Sequence, residues 1–250
     1  MSPMLGTLLS AGVVAAAGTA AYQAMAPSAQ GYGATFTSGP RGSKRIALTY
    51  DDGPNDPHTY RLLEVLEKHG ARATFFLIGR YVEQRPEIVR DVVKSGHAIG
   101  NHTFTHPNLA VASVVQNRLQ MEECQRAILE VAGEAPRLFR PPFGGRRPAT
   151  LQIARSLGLE PVMWNVTSYD WQTPPAEKIV RICVRQMRGG DVILMHDGSH
   201  EAFGADRAQT VLATGMLLER YRAAGYEFVS IPEVMGAEVV ARPLARPGAG

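Results

Sequence analysis

Two adjacent carboxylates, Asp51 and Asp52, end the run "IALTYDDGP", which begins at Ile46. A short apolar and β-branched run bounded by Gly53-Pro54 predicts a buried strand that ends in a loop. Neighbours on a strand point to opposite faces, so both side chains can serve one site only if the strand ends there. Like charges this close raise the pKa of one of them unless a cation lies between them. The pair therefore predicts a counter-charge, although Asp-Gly-Pro is also common turn chemistry.

A second candidate site is the pair His102 and His106 in "NHTFTHPNL", four residues apart. In a helical turn both imidazoles would lie on one face, which is the spacing that chelates a divalent metal, although surface helices also carry this pattern. Two histidines and one carboxylate leave coordination positions open, as a metal that activates water requires. We therefore expect Asp52 to be the third ligand and Asp51 to be the base beside it.

Two more motifs place ionisable side chains at predicted strand ends. Arg140 in "LFRPPFGG" would hold Asp51 ionised if the two side chains meet, and is otherwise an ordinary arginine before a proline turn. His196 in "VILMHDG" ends an apolar strand, which is costly for a titratable ring without a partner. Asp170 in "SYDWQT" could orient that ring, and such a pair suits a general acid. Trp171 is then either a wall of a sugar-sized pocket or a core residue.

The elements that must position these residues follow a repeated pattern from Lys44 onward. Short apolar runs alternate with amphipathic stretches about seven times, and glycines directly follow the predicted helices. This alternation predicts a parallel sheet, and a (β/α) barrel is the economical arrangement for so many units. In such barrels the chemistry lies at the carboxyl ends of the strands, where the candidate residues occur. The predicted strands are 45–50, 73–78, 97–101, 138–140, 161–166, 192–195 and 227–231.

Composition limits the class of protein. The 250 residues, 45% of them hydrophobic, are enough for one large α/β domain. A net charge of +3 without a Lys/Arg cluster argues against a nucleic-acid partner. Cys124 and Cys183 each fall within a predicted helix, so we expect buried free thiols rather than a disulfide or a metal site.

Five motifs occur in order along the chain: "TYDDGP", "HTFTH", "RPPFG", "DW" and "LMH". This series closely resembles the motifs of the polysaccharide deacetylases, carbohydrate esterase family 4 with the NodB homology domain. That family includes chitin, peptidoglycan and nodulation chito-oligosaccharide deacetylases. The resemblance covers about residues 44–234, because "DRAQTV" and "GYEFVSIPE" also look like the family's ending. It implies an α/β fold, a distorted and incomplete (β/α) barrel, in agreement with the seven units.

The resemblance implies roles for ten positions. Three would bind the metal: Asp52, His102 and His106. Four would transfer protons or support that transfer: Asp51 as base, Arg140 orienting it, His196 as acid and Asp170 tuning the acid. Three would contact the substrate: Phe143 through its backbone N–H as an oxyanion donor, Trp171 as a wall, and Leu194 lining the pocket for the acetyl methyl. Two positions depart from the family pattern, Tyr50 where Phe is usual and Phe143 where Tyr is common.

The implied reaction is metal-dependent hydrolysis of N-acetyl groups on a polysaccharide that contains N-acetylglucosamine, with release of acetate. The implied cofactor is a divalent ion, zinc first, with cobalt or another divalent ion as alternatives. The implied partner is an N-acetylated glycan, for which chitin oligomers, peptidoglycan and exopolysaccharide remain open. The oligomeric state is unknown.

Three alternatives remain beside this reading. O-deacetylation of acetylated xylan would use the same residues. A non-catalytic glycan-binding module on the same fold predicts a broken catalytic set, whereas every position here is filled. A non-haem iron oxygenase also uses two histidines and one carboxylate, but it leaves Asp51, Arg140 and the Asp170-His196 pair without a role.

The first 40 residues contain no Lys, Arg, Asp, Glu or His. The apolar run "MLGTLLSAGVVAAAGTAAY" and a possible Ala24-Met25-Ala26 cleavage site predict a signal peptide or membrane anchor over residues 1–26. The lack of a basic residue before the run leaves a mispredicted start or a loose apolar tail as the alternatives. We then expect a flexible linker over 27–43, the catalytic domain over 44–236 and a C-terminal tail over 237–250. The localisation that follows is secreted, periplasmic or at the cell envelope, with membrane contact only through the N-terminal segment.

Overall fold

The computed structural model describes residues 17–236. The strands within them are β1 Arg45–Gly53, β2 Ala73–Leu77, β3 Ala98–Asn101, β4 Leu138–Phe139, β5 Glu160–Pro161, β6 Val166–Thr167, β7 Val192–His196 and β8 Glu227–Phe228. The α-helices that follow β1 are α1 His58–Lys68, α2 Gly79–Gln84, α3 Pro86–Lys94, α4 Val114–Ala132, α5 Pro148–Ser156, α6 Ala176–Gln186, α7 Ala208–Ala223 and α8 Ile231–Met235. Residues 17–25 are also helical, and 3₁₀ turns occur at Pro142–Gly144 and Asp170–Gln172.

The strands form one parallel sheet in the order β5-β4-β3-β2-β1-β7-β6, and β8 pairs with the first residues of β1. Strand β1 is central and is buried from Ile46 to Gly53. The outer strands β5 and β6 pair with β4 and β7 and not with each other, so the barrel is incomplete. The predicted α/β fold, an incomplete barrel, is therefore confirmed.

One predicted strand is wrong, because residues 161–166 belong to two strands rather than one. Strand β5 ends at Pro161 and β6 begins at Val166, on opposite free edges of the sheet. Between them the carbonyls of Val162 and Met163 accept hydrogen bonds from the Arg140 guanidinium, at 3.4 and 3.0 Å. These carbonyls are therefore used by a buried side chain, and the chain crosses the gap of the barrel here.

The last predicted strand, 227–231, is also too long. Strand β8 ends at Phe228, and Ser230 begins helix α8 through a capping box with Glu233. A serine followed three residues later by a glutamate satisfies the free N–H groups of a first helical turn, which explains why the strand stops. The short helix α2, Gly79–Gln84, was not predicted at all.

The longer helices pack their apolar faces against the sheet. Helix α4 begins at Ser113 with a capping box and ends at Gly133, which has a left-handed φ of 78° as a C-cap glycine does. Cys124 on α4 and Cys183 on α6 are both free and buried in the core, as expected. Burial raises the pKa of each thiol to about 12, so both are inert at neutral pH.

Residues 27–43, the predicted linker, run along the surface of the barrel, and Phe36 forms a parallel bridge with Val162 at the open edge. Most of the predicted signal or anchor, residues 1–16, lies outside the described residues, as does the predicted tail, 237–250. Among residues 17–236 no helix has both the length and the apolar character needed to cross a membrane.

Candidate active site

A β-bulge in β1 explains how two adjacent aspartates serve one site. Asp51 pairs with Phe76 of β2 and Gly53 pairs with Leu77, so Asp52 between them has no partner on β2. Asp52 has a φ of 73°, which breaks the alternation of strand side chains. The strand therefore continues through the pair instead of ending there, and both carboxylates reach the same buried space.

Asp52, His102 and His106 form a group that could hold a metal ion, with ligand atoms all within 4.8 Å of one another. Asp52 Oδ1 lies 3.6 Å from His102 Nε2 and 3.2 Å from His106 Nε2. That oxygen is buried and has no hydrogen-bond partner within residues 17–236. A buried carboxylate oxygen that faces two ring nitrogens at these distances lacks only a cation, so the donor set fits a divalent metal.

The protonation states of the triad also fit a metal. Burial lowers the pKa of His102 to about 4 and that of His106 to about 3, so both rings are neutral at neutral pH. Burial alone would raise the pKa of Asp52, but contact with His200 and His106 lowers it below its usual range. His102 Nδ1 donates to the Arg140 carbonyl at 2.7 Å, which leaves Nε2 as the free lone pair. Metal ligands must be deprotonated, and all three are.

The two histidines lie side by side, but a helical turn is not what brings them together. Residues 102–106 have irregular structure, and both Thr103 and His106 have positive φ angles, 67° and 64°. The Asn101 side chain accepts from the Thr103 N–H at 2.9 Å, and the Thr103 hydroxyl accepts from the His106 N–H at 3.1 Å. These local side-chain bonds replace helical ones and bring the two rings to 4.8 Å in an edge-to-face arrangement.

Asp51 lies beside the triad and is bound by Arg140. The Arg140 Nη1 donates to Asp51 Oδ1 and to the Thr49 hydroxyl, both at 2.8 Å. Arg140 is fully buried, with its guanidinium 4.1 Å from the centre of the Phe76 ring. Burial raises the pKa of Asp51, and the Arg140 charge opposes that rise. A carboxylate held in one orientation with a raised pKa suits a general base.

Asp170 and His196 form a second pair on the other side of Asp51. His196 lies opposite Asp51 in the register of β1 and β7, so the predicted base and acid are neighbours across two strands. His196 Nδ1 donates to Asp170 Oδ1 at 2.8 Å, and Ser168 and Thr210 also donate to this carboxylate at 2.8 Å. Burial alone would lower the pKa of His196, but Asp170 raises it to about 9, so the ring is protonated at neutral pH.

A cavity of about 580 Å³ connects the Asp52-His102-His106 triad with His196. Trp171 is 41% exposed at its rim and lies 5.4 Å from His196, so it is a pocket wall rather than a core residue. Phe143 is also exposed, and its ring lies edge-on to His106 at 4.6 Å. Of the ten predicted site residues, eight line this cavity: Asp51, Asp52, His102, His106, Phe143, Trp171, Leu194 and His196. The other two, Arg140 and Asp170, are buried behind Asp51 and His196.

The sequence motifs above do not include His200, which the structure places in the site. His200 lines the cavity, stacks on His106 at 4.3 Å, and places Nδ1 3.6 Å from Asp52 Oδ2. The Tyr81 hydroxyl and the Arg80 guanidinium hold its loop by donating to the Ser199 and His200 carbonyls. A signal was present, because His196 and His200 repeat the four-residue spacing of the first histidine pair.

Asp197 was also missed. It is buried directly under the bulge, accepts from the Thr59 hydroxyl at 2.5 Å, and has a pKa raised to about 7 by burial. A Cβ atom at Gly53 would lie 2.2 Å from Asp197 Oδ2, so the Asp-Asp-Gly bulge requires glycine at that position. The Asn55 amide donates to the Asp197 carbonyl at 2.8 Å and to the Ala205 carbonyl at 2.9 Å. Together these groups support the loops on both sides of the site.

Backbone strain is concentrated around this cavity. The non-glycine residues with positive φ in the described part of the chain all lie in or beside the site: Asp52, Thr103, His106, Phe143, Tyr169 and Thr173. Such conformations cost on the order of 1–3 kcal/mol each and persist where the surrounding structure imposes them. The clustering is typical of a functional site.

The fold and the site together define a class: an incomplete parallel barrel with a metal-binding triad, a base and a protonated histidine at its strand ends. The family model described as polysaccharide deacetylase matches residues 38–162. A peptidoglycan-N-acetylglucosamine deacetylase of Bacillus cereus is 37% identical, with 78% of this chain and 90% of that protein covered. A chitooligosaccharide deacetylase of Azorhizobium caulinodans is 37% identical, with coverages of 75% and 92%. This chain belongs to the polysaccharide deacetylase family.

One similar solved structure is that of a pseudoenzyme. The crystal structure of a CE4 family pseudoenzyme from Bacillus anthracis has a TM-score of 0.75 to this chain and is 28% identical, with 81% of this chain and 69% of that one covered. The same fold therefore occurs in a protein called a pseudoenzyme, so the residues of the site, rather than the fold, determine activity.

Proposed function

We propose that this protein is a metal-dependent deacetylase that removes N-acetyl groups from glycans containing N-acetylglucosamine and releases acetate. One observation carries the proposal: an oriented carboxylate, Asp51, and a protonated imidazole, His196, face one cavity beside a triad that fits a divalent metal. Amide hydrolysis needs these parts together, because water must lose a proton and the departing amine must gain one.

Asp52, His102 and His106 would hold the metal, and we propose zinc, for which neutral imidazoles and a carboxylate are typical ligands. When bound, such an ion supplies Lewis acidity for the acetyl carbonyl and for water. The triad's remaining task is to stay deprotonated and close together, which burial and the Arg140 carbonyl bond to His102 support.

Asp51 would accept the proton of the attacking water. Arg140 Nη1 donates to Asp51 Oδ1 and also to the Thr49 hydroxyl, and these bonds fix the orientation of the carboxylate. The other oxygen, Asp51 Oδ2, lies 3.7 Å from His102 Nε2. A base with a pKa raised by burial accepts a proton more readily at neutral pH than an exposed carboxylate does.

His196 would donate a proton to the departing amine, because an unprotonated amide nitrogen is a poor leaving group. Asp170 keeps the ring protonated, and the His196 charge in turn lowers the pKa of Asp170, whose two oxygens also accept hydrogen bonds from the Ser168 and Thr210 hydroxyls. The acetyl oxygen would accept a bond from the Phe143 backbone N–H, which has no protein acceptor within residues 17–236. Leu194, buried on the cavity floor, would contact the acetyl methyl.

The substrate we propose is a polymer or oligomer of N-acetylglucosamine. Two relatives of equal identity are named for peptidoglycan and for chitooligosaccharide, so either glycan is a direct candidate. The exposed rings of Trp171 and Phe143 at the rim are suited to stacking on sugar faces. Such polymers lie outside the cytoplasm, and we therefore propose a secreted or cell-envelope location, with residues 1–26 as the export signal or anchor and 44–236 as the catalytic domain.

The test is acetate release by the full-length protein from chito-oligosaccharides, peptidoglycan and acetylated xylan, each with chelator-stripped and zinc-restored protein. We expect release from at least one N-acetylated glycan that disappears with chelator and returns with zinc. Release from xylan alone would support the O-deacetylase alternative. No release from any of them, with the fold intact and metal bound, would favour a non-catalytic glycan-binding module.

A further inference from the structure

Arg146 is fully buried in the loop after β4, yet it has no obvious part in the chemistry above. Its Nη2 donates to the Ala26 carbonyl at 2.8 Å and to the Ala29 carbonyl at 2.7 Å, and its backbone N–H donates to the Ala24 carbonyl at 2.9 Å. Its Nη1 donates to the Gly144 carbonyl at 3.0 Å. In the described part of the chain this buried cation is therefore bound by carbonyl oxygens rather than by a carboxylate.

Burying a charge is costly unless it is fully hydrogen-bonded. Two of the three carbonyls that satisfy the guanidinium come from the segment before the predicted catalytic domain, and Nε has no partner within residues 17–236. Without the N-terminal segment, the Arg146 charge would lose most of its compensation. Arg146 therefore requires the segment, and the segment is held by Arg146.

A second attachment lies ten residues further on. The Phe36 N–H donates to the Pro161 carbonyl at 2.9 Å, and the Met163 N–H donates to the Phe36 carbonyl at 2.7 Å. Phe36 thus extends the free edge of the sheet beyond β5, and its side chain packs against the cluster that contains Val162 and Trp164. Ala29 and Thr35 between the two attachments are buried as well. Buried residues and backbone hydrogen bonds to the barrel make this segment an integral part of the domain.

The segment also touches the turn that carries Phe143. Gly144 lies between Phe143 and Arg146, and a Cβ atom placed there would meet the Met25 carbonyl at 3.3 Å and Trp164 at 3.2 Å. Phe143 itself has a left-handed backbone, with a φ of 57°. A strained turn needs neighbours that impose it, and those next to Gly144 are Met163, Trp164 and the N-terminal segment.

We propose that residues 24–36 form an N-terminal clasp and that Arg146 is a positioning residue, which together hold the Phe143 turn at the wall of the active site. The clasp extends the catalytic unit from residue 44 back to residue 24. A cut after Ala26, at the predicted cleavage site, would remove the carbonyls of Ala24 and Ala26 from Arg146. The catalytic consequence rests on the proposed function, whereas the physical coupling of the clasp and the turn does not.

The coupling is tested by hydrogen exchange on full-length Arg146→Met, Arg146→Lys and Ala29→Leu, the last of which forces bulk into the buried face of the clasp. The exposed Arg118→Met is the matched control, because Arg118 pairs only with groups on the protein surface. We expect amides in 24–36 and in 141–147 to lose protection together in Arg146→Met and Ala29→Leu, with 114–132 unchanged. Loss confined to 24–36 would overturn the proposal.

The catalytic part is tested by steady-state kinetics on whichever glycan the protein deacetylates. Arg146→Met should lower kcat about 10- to 100-fold with little change in KM, because displacing an oxyanion donor affects the transition state more than substrate binding. Arg146→Lys should recover part of kcat, and Ala29→Leu should add little once Arg146→Met is present. A kcat that falls only with the folded fraction would make Arg146 merely structural. If the wild type deacetylates nothing, the proposed function fails, and hydrogen exchange alone decides the clasp.

Discussion

Buried histidines have opposite pKa shifts on the two sides of the active site, the Asp52-His102-His106 triad and the Asp170-His196 pair. His102, His106 and His196 are all nearly buried, yet the pKa values of the first two are lowered to about 4 and 3, while that of His196 is raised to about 9. His196 donates a short hydrogen bond to its own carboxylate, Asp170, at 2.8 Å. The first two have their Nε2 atoms 3.6 and 3.2 Å from Asp52 Oδ1, and that oxygen accepts no hydrogen bond from either ring.

His97 shows what happens to a buried histidine without a carboxylate beside it. It lies just before β3 and accepts from the Ala73 N–H, and burial first and the Arg72 charge second lower its pKa to about 4. Burial therefore makes a histidine neutral by default in this protein, and a dedicated, hydrogen-bonded carboxylate reverses that outcome. The comparison teaches that carboxylate geometry, rather than histidine burial, decides which ring is neutral and which is protonated.

The largest effect is expected on the metal side. His102→Ala should weaken metal binding more than about 100-fold and lower activity by about 10³-fold or more, since loss of a direct ligand exceeds the effect of losing its supporting bonds. Metal content by elemental analysis checks this, with His97→Asn as the matched buried histidine. Unchanged metal content in His102→Ala would remove this residue from the ligand set.

Asp51 lies between the two sides, and Asp51→Asn separates metal binding from proton transfer. The amide keeps the shape and can still contact Arg140, but it cannot accept a proton from water. We expect metal content to remain near wild type and kcat to fall by about 10²- to 10⁴-fold. An active Asp51→Asn enzyme would show that another group is the base.

At the Asp170-His196 pair, Asp170→Asn should make His196 a neutral ring at neutral pH, as His102 and His106 are. Asp170 raises the pKa of His196, so removing its charge lowers that pKa, and the ring loses its proton at lower pH. Because the reaction needs the protonated ring, the alkaline limb of the kcat/KM profile should move to lower pH by about one unit or more. A limb that stays in place would argue against His196 as the acid.

A smaller effect on metal binding is expected at His200. His200→Ala removes a ring stacked on His106 and close to Asp52 Oδ2, so we expect about 10-fold weaker metal binding, within the range for groups that orient ligands. His200→Phe keeps the stack and should lie between the alanine variant and wild type. Competition with a metal-sensitive dye measures all three affinities, and equal values would mean that His200 does not orient the triad.

The last effect is one on stability alone, away from the site. The pKa of His97 is about 4 in the folded protein against an ordinary value of 6.5, so the unfolded chain binds more protons between these pH values. His97 then favours folding fully above pH 6.5 and loses that contribution, at most about 3 kcal/mol, as the pH falls toward 4. His97→Asn keeps an acceptor for the Ala73 N–H but cannot titrate. Urea unfolding at pH 7 and 4.5 should show a smaller pH dependence in the variant.

Much of the site could be predicted because its residues are local features at strand ends. "TYDDGP", "RPPFG" and "LMH" each place an ionisable residue directly after an apolar run, and a parallel barrel brings such ends to one edge. All ten predicted positions lie in or directly behind one cavity. Their chemical roles remain predictions, which the variants above test.

Other features depend on individual side-chain contacts, most of them between residues that are distant along the chain. The bulge at Asp52 depends on Asp197 beneath Gly53, and His200 reaches the triad because Tyr81 and Arg80 hold its loop. The irregular path from His102 to His106 follows from two short side-chain bonds that compete with a helix. None of these contacts has a periodic signature.

By itself the sequence determined the strand-helix alternation, the ordered motifs and the supply of histidines and carboxylates at the strand ends, because these follow from local periodicity and residue type. Only the tertiary structure decided which histidine is neutral and which is protonated, since that depends on whether a carboxylate distant along the chain accepts a hydrogen bond from the ring. It also decided that residues 24–36 belong against the barrel, because they supply two of the three carbonyls that bind the buried guanidinium of Arg146, more than a hundred residues away.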